Sequence, residues 1–288
     1  MTKTKTIYLS LRTFKLQISV IKCGTSGCVK NMTRVLAVIG GKGGVGKTSL
    51  VSNLSAALND MGHNVIAVDA NLTTPNLGLH LGMHLAPKTL HDVLKGKSRL
   101  KDAIYPHASG IKVVPGSMAL EDLKGVDVGK LPEVALNLLG NADFVVFDSA
   151  AGLGREAVSA ISAADEILII TNPDLPSVTD ALKTVKIAEE MHKKILGVAV
   201  NRTSGKWHEL TKEEIEEMCG YPVIAQIPED KSVTKSIAAK YPAVHLYPNS
   251  PASQEIRRLA HTLTATPFTE KRQIRFGFLE RLVGWMSR

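Results

Sequence analysis

The stretch Gly41-Lys42-Gly43-Gly44-Val45-Gly46-Lys47-Thr48 constrains the fold of this chain more than any other. It follows a continuous apolar run, Val35 to Ile39, and precedes a segment in which Leu50, Leu54, Ala57, Leu58 and Met61 recur at helical spacing before Gly62 ends it. A buried strand, a glycine-rich turn and a helix, in that order, are the context in which G-x-x-x-x-G-K-[ST] works as a phosphate loop. The glycines let backbone N–H groups turn inward around phosphate oxygens, and the helix N-terminus adds a favourable dipole. Gly41 through Thr48, with Ser49 just inside the helix, are therefore the expected phosphate-binding residues. Lys47 is placed to reach the β and γ phosphates, and Thr48 to offer its hydroxyl to Mg²⁺.

Beyond this loop the chain alternates apolar strand-like and helix-like segments. That is the pattern of an α/β fold with a doubly wound, mostly parallel sheet and helices on both faces. Strands are expected at Val65 to Val68 ending at Asp69, Ile111 to Val114, Phe144 to Phe147 ending at Asp148, Glu166 to Ile170, Ile195 to Val200 ending at Asn201, and Val223 to Ile227. Helices fit between them: Val178 to Met191, Thr211 to Met218 with Thr211 and Glu214 as a capping box, and Pro251 to Leu263. Phe144-Val145-Val146-Phe147-Asp148 supplies the second half of a phosphate-loop site, an apolar strand ending in an acid that can hold the Mg²⁺ water shell.

Composition narrows the partners. The chain has 288 residues, 44% of them hydrophobic and 22% charged, enough for a sizeable core. Its net charge of +8 invites a nucleic-acid reading. The excess sits at the two ends, however. Residues 1 to 31 hold six Lys/Arg and no acid, residues 270 to 288 hold five against two acids, and the body between carries 24 basic and 25 acidic residues. A near-neutral body points away from nucleic acid. Three cysteines, Cys23, Cys28 and Cys219, form no Cys-x-x-Cys pair, which disfavours a disulfide framework or an iron–sulfur cluster and fits a reducing, cytoplasmic setting. His80 and His84 stand four apart without a third ligand nearby and read as ordinary loop or helix histidines.

Four segments are expected. Residues 1–31, basic and rich in Ser and Thr, read as a disordered or mis-called extension with Met32 as the true start, a transit peptide being the compositional alternative. Residues 32–266 form the nucleotide-binding domain, and 267–272, opened by Pro267, a linker. In residues 273–288, Phe276, Leu279, Val283 and Met286 share one helical face, flanked by Leu282, with Arg275, Arg281 and Arg288 to the sides. That is the pattern of an amphipathic helix lying in an acidic membrane surface, the bland alternative being a helix packed on its own domain.

Lys42, a lysine beside the first glycine, is surplus to phosphate binding within one subunit. With it the sequence resembles the deviant phosphate-loop ATPases, the group of MinD, ParA and the nitrogenase iron protein. Over residues 32 to 266 it is similar to the MinD branch, its archaeal members above all. Further stretches carry the likeness: Val68-Asp69-Ala70-Asn71, Asn76-Leu77-Gly78, Thr89-Leu90-His91-Asp92-Val93-Leu94, Asp148-Ser149-Ala150-Ala151-Gly152-Leu153, Thr171-Asn172-Pro173, Asn201-Arg202 and Ile227-Pro228-Glu229-Asp230. The resemblance implies an ATPase using ATP and Mg²⁺. Lys42 would act across a homodimer on the partner's phosphates, and Asn201, Arg202, Pro228, Glu229 and Asp230 would surround the adenine. It also implies that the C-terminal segment targets the membrane, and that the protein works on the cytoplasmic face with a protein regulator or cargo in placing division or other machinery. Ordinary strand-end capping is the competing reading for Asn201. Where MinD-like proteins usually carry Asp-x-Asp, this chain has Asp69 and then Asn71. Asp69 is assigned to the magnesium shell with Thr48 and Asp148. Asn71 cannot take a proton but can orient water, so slow hydrolysis is expected. A ParA-like DNA-partitioning ATPase and an ATP-dependent small-molecule enzyme of the same fold are the alternatives.

Overall fold

The computed structural model describes residues 32–268. The expected extension 1–31, the C-terminal helix 273–288 and residues 269–272 of the linker lie outside the described residues. Eight strands, β1 (Arg34–Ile39), β2 (Val65–Ala70), β3 (Tyr105–Pro106), β4 (Lys112–Val114), β5 (Phe144–Ser149), β6 (Glu166–Thr171), β7 (Lys194–Thr203) and β8 (Val223–Pro228), form one sheet in the order β3-β4-β2-β5-β1-β6-β7-β8. All pairings are parallel except that of β3 with β4. β1 lies between β5 and β6, so connections leave its carboxyl end in opposite directions and open a crevice there, the place where ligands bind in such sheets.

The seven helices of eight residues or more among those described are α1 (Lys47–Asp60), α2 (Leu131–Leu138), α3 (Arg155–Ala163), α4 (Leu175–Glu190), α5 (Lys212–Cys219), α6 (Lys231–Ala238) and α7 (Pro251–Thr264). Strand residues alternate between two cores because successive side chains leave opposite faces of a sheet. Leu36, Val38, Ala67 and Val146 pack with Leu50, Leu54 and Leu58 of α1 and with Ile256, Leu259 and Leu263 of α7. Val35, Ala37, Ile39, Val68 and Phe147 pack on the other face with α2, α3, α4 and α5. The central strands are buried on both faces, which is why they read as unbroken apolar runs.

Boundaries differ from expectation where local chemistry moves them. α4 begins at Leu175, three residues before Val178, because the Asp174 carboxylate accepts from the Ser177 N–H at 2.9 Å and Pro176 suits the first turn. β7 runs past Asn201 to Thr203, with a register shift against β8 and Arg202 at φ 59°. The capping box at Thr211 and Glu214 is present. Strand β3 is only two residues long and has no period to read.

One ion-pair network ties the start of β1 into the sheet. Glu166 accepts from Arg34 Nε at 2.8 Å and from Lys194 Nζ at 2.8 Å, while Arg34 also donates to the Leu263 carbonyl. Burial alone would raise the Glu166 carboxyl, yet the hydrogen bonds from Lys194 and Arg34 hold it below its ordinary value. A depressed folded-state value stabilises above the unfolded value and is lost as pH falls through the folded one. Glu166→Gln is therefore expected to cost about 1 kcal/mol at pH 7, allowing for screening by water, and less near pH 3. Urea midpoints at the two pH values check it, and an equal deficit at both would contradict it.

Candidate nucleotide site

The loop from Gly40 to Gly46 leaves β1 and turns into α1 under tight confinement. A Cβ on Gly41 would lie 2.2 Å from the backbone oxygen of Asp180 in α4, and one on Gly46 2.3 Å from the Asn201 Nδ2. Gly46 also sits at φ 100°, where a side chain is strained whatever the space, so these glycines are required by close approach and conformation together. Nothing in the local pattern announced that α4 would brace the loop from behind. Lys42 is exposed.

Lys47 is only 7% exposed, and its Nζ donates to the Lys42 carbonyl at 3.1 Å, folding the side chain back over the loop. Burial lowers its pKa, opposed by the negative charge of Asp148. Across from it, Asp69 and Asp148 are the next-to-last residues of β2 and β5, paired side by side in the strand register. Both are fully buried. Burial pushes the Asp148 carboxyl up to about 6, while the Thr48 hydroxyl and then the Lys47 charge favour its ionised form. The Thr48 hydroxyl faces Asp148 without completing a well-formed hydrogen bond, so both carboxylate oxygens of Asp148 and the Asp69 Oδ1 stand without partners. Burial and then the Asp148 charge raise Asp69 well above its usual range, although its Oδ2 accepts from the Leu77 N–H at 2.9 Å. Buried acceptors without donors, two acids together, and a hydroxyl beside them make a hard-oxygen donor set that fits Mg²⁺. Thr48, Asp69 and Asp148 are the residues that would hold it, directly or through its water shell. When bound, the cation neutralises charge on the phosphates.

Asn71 lines a cleft of about 590 Å³ between the loop after β2 and the loop from Ala150 to Gly154. Its amide is engaged locally: Nδ2 donates to the Thr74 carbonyl at 2.6 Å, and Oδ1 accepts from the Thr74 hydroxyl at 3.2 Å. On the other side of the phosphate loop, Asn201 Nδ2 donates to the Val45 carbonyl at 2.7 Å. Arg202 pairs loosely with Glu229 at 3.8 Å, and the Glu229 N–H donates to the Thr203 carbonyl. Pro228 and Glu229 thus lie beside Asn201 and Arg202 at the ends of neighbouring strands. Asp230 is engaged elsewhere, capping α6 through the Ser232 N–H at 2.8 Å and reaching the Ala252 N–H in α7 at 3.2 Å. Burial would raise its carboxyl, but these N–H donors win and hold it low. His80 and His84 lie on and just after the short helix Leu77–His80, and burial lowers the His80 pKa.

Two site-supporting residues were not singled out from sequence. His91, fully buried, has Nε2 3.0 Å from the Leu72 carbonyl, while its Nδ1 accepts from the Ser117 N–H. That acceptor role assigns the ring proton to Nε2, which then donates to Leu72. Glu156 in the first turn of α3 accepts from the backbone N–H of Leu72 at 3.0 Å and of Thr73 at 3.3 Å, and from the Thr73 hydroxyl. Both contacts span long sequence separations, so no motif spacing could have revealed them.

A phosphate loop at the carboxyl end of a central parallel strand, with one acid-bearing strand beside it and a second beyond that, defines a doubly wound nucleotide-binding protein that takes ATP and Mg²⁺. Residues 36–243 match the family described as the CobQ/CobB/MinD/ParA nucleotide binding domain, and the chain belongs to that family. It is 38% identical over 237 residues to an uncharacterised ATP-binding protein of Methanocaldococcus jannaschii, covering 82% of this chain and 90% of that one. It is 32% identical over 266 residues to the antiactivator FleN of Pseudomonas aeruginosa, covering 87% and 93%. Among solved structures, the septum site-determining protein MinD complexed with Mg-ADP from Pyrococcus horikoshii matches with a TM-score of 0.78 at 37% identity, covering 81% of this chain and 96% of that one. The expected family and fold hold.

Proposed function

We propose that the protein is a MinD-like ATPase that hydrolyses ATP slowly, dimerises on MgATP, and binds an acidic membrane surface reversibly through residues 273–288. The observation that carries the nucleotide part is the buried Lys47 opposite Asp69 and Asp148, whose unpartnered oxygens call for a cation. Lys47 would act on the phosphates in cis, and Thr48, Asp69 and Asp148 around Mg²⁺. Lys42 is exposed and free to reach a partner subunit's phosphates. Asn71 would orient the attacking water. A single short amphipathic helix binds lipid weakly, whereas a dimer presents two and makes the second insertion intramolecular, so nucleotide state becomes membrane occupancy. Among the described residues no helix is long and apolar enough to cross a membrane. The protein would then act at the cytoplasmic face of the cell membrane, with a protein regulator or cargo, in placing division or other machinery. The MinD relative from Pyrococcus horikoshii is named for septum-site determination, which supports placement of division or other machinery as the role.

Co-sedimentation with anionic liposomes in ATP and in ADP, with and without residues 273–288, tests this. Pelleting is expected only with ATP and the final segment together, at least tenfold above either control. Pelleting indifferent to both would sink the membrane reading, and ATP-dependent binding to duplex DNA in its place would support a ParA-like partitioning role.

A further inference from the structure

We propose that Glu156 is a positioning residue for hydrolysis, fixing Asn71 by clamping the neighbouring peptide of Leu72 against helix α3; this rests on the ATPase reading above. The Leu72 peptide is held from both sides. Its N–H donates to Glu156 Oε2 at 3.0 Å, and its carbonyl accepts from buried His91, itself fixed by the Ser117 N–H at 3.0 Å. The Leu72 side chain is 1% exposed and packs in the core, so this residue is an anchor while its neighbours Thr73 and Thr74 are exposed. Asn71 directly precedes the anchor and Asp69 lies three residues before it. Holding Leu72 therefore sets where the Asn71 backbone stands relative to the Mg²⁺ side of the site, and the Thr74 carbonyl and hydroxyl then orient its amide.

An acid in the first turn of a helix ordinarily serves its own helix by accepting the free N–H groups there. Glu156 does otherwise. Its three hydrogen bonds all go to Leu72 and Thr73, more than eighty residues away, through both carboxylate oxygens. Glu156 also lines the cleft that Asn71 and Thr74 face, so the clamp and the residue it positions share one opening. A misplacement of about 1 Å in a group that orients a nucleophile can cost up to a hundredfold in rate, which makes such a clamp worth having.

The test measures single-turnover hydrolysis, ATP affinity and amide hydrogen exchange in the full chain, for wild type, Glu156→Ala and Glu156→Gln. The alanine variant is expected to lose at least tenfold in the hydrolysis rate while its ATP affinity stays within twofold. The glutamine variant keeps a carbonyl acceptor for both N–H groups and an amide that can meet the Thr73 hydroxyl, and is expected to retain at least a third of the wild-type rate. The Leu72 and Thr73 amides are expected to be protected in wild type and to exchange at least tenfold faster in the alanine variant. An unchanged rate in Glu156→Ala, an equal loss in both variants, or a loss that follows ATP affinity would overturn the positioning role. Wild type that binds but never hydrolyses ATP would instead overturn the ATPase reading, and exchange at Leu72 and Thr73 then judges the clamp alone, unaltered protection in the alanine variant overturning it.

Discussion

Lys47→Met is expected to weaken MgATP binding at least a hundredfold while leaving the unfolding midpoint of the ligand-free protein within about 1 kcal/mol of wild type. The asymmetry follows from what the ammonium touches. At 7% exposure with one hydrogen bond, to the Lys42 carbonyl, it has surrendered most of its hydration for little in return within the protein. Its attraction to Asp148 offsets part of that cost, so removing it changes folding little. Toward a triphosphate the same group offers charge-assisted hydrogen bonds in a site sheltered from water, worth about 3 kcal/mol or more. Titration calorimetry with MgATP, beside urea unfolding without it, measures both. Retained affinity would show that the backbone of the loop alone suffices to hold the phosphates.

Asp148→Asn should stabilise the ligand-free protein, and in a pH-dependent way. The Asp148 carboxyl is raised by burial to about 6 from an ordinary value near 3.8, so its charged form is disfavoured in the fold. For an acid so raised, the folded state holds its proton longer than the unfolded chain does. Its destabilising effect is absent below about pH 4, grows as pH rises, and is complete above about 6. The variant should therefore be clearly more stable than wild type at pH 7.5 and no more stable at pH 4. Losing the negative charge also relieves Asp69, whose carboxyl is raised in part by Asp148. The gain in stability comes with a functional loss: the thermal shift that MgATP produces should shrink markedly, because one of the two buried acids facing the cation is gone. Equal urea midpoints for variant and wild type at pH 7.5 would rule the strained acid pair out.

Much of this was legible along the chain. The phosphate loop, the strand ending at Asp69 and the strand ending at Asp148 are local patterns, readable because a buried parallel strand must be apolar throughout and its carboxyl end must carry whatever chemistry the crevice uses. Asn201 and Val45 are legible in the same way, though not the bond between them. Other parts could not be read. Asp180 is an ordinary helical acid in sequence, yet its backbone sets the space behind Gly41. His91 carries no local spacing signal, and Glu156 reads as a helix first-turn acid until its partners are seen across the cleft. Asp230, expected at the adenine with Pro228 and Glu229, also caps α6 and reaches the first turn of α7, contacts that its place in the turn does not reveal.

The sequence by itself determined the class of sheet, the loop that cradles phosphate, the residues able to meet Mg²⁺, and the family, because each depends on residue type and spacing within a strand, a turn or one helical repeat. Tertiary structure alone decided the strand order that brings Asp69 and Asp148 side by side, the bracing of the phosphate loop by α4, and the clamp on Leu72. Those are contacts between residues tens to more than a hundred positions apart. Their partners are chosen by packing and by the need to satisfy buried backbone groups, and neither acts through distance along the chain.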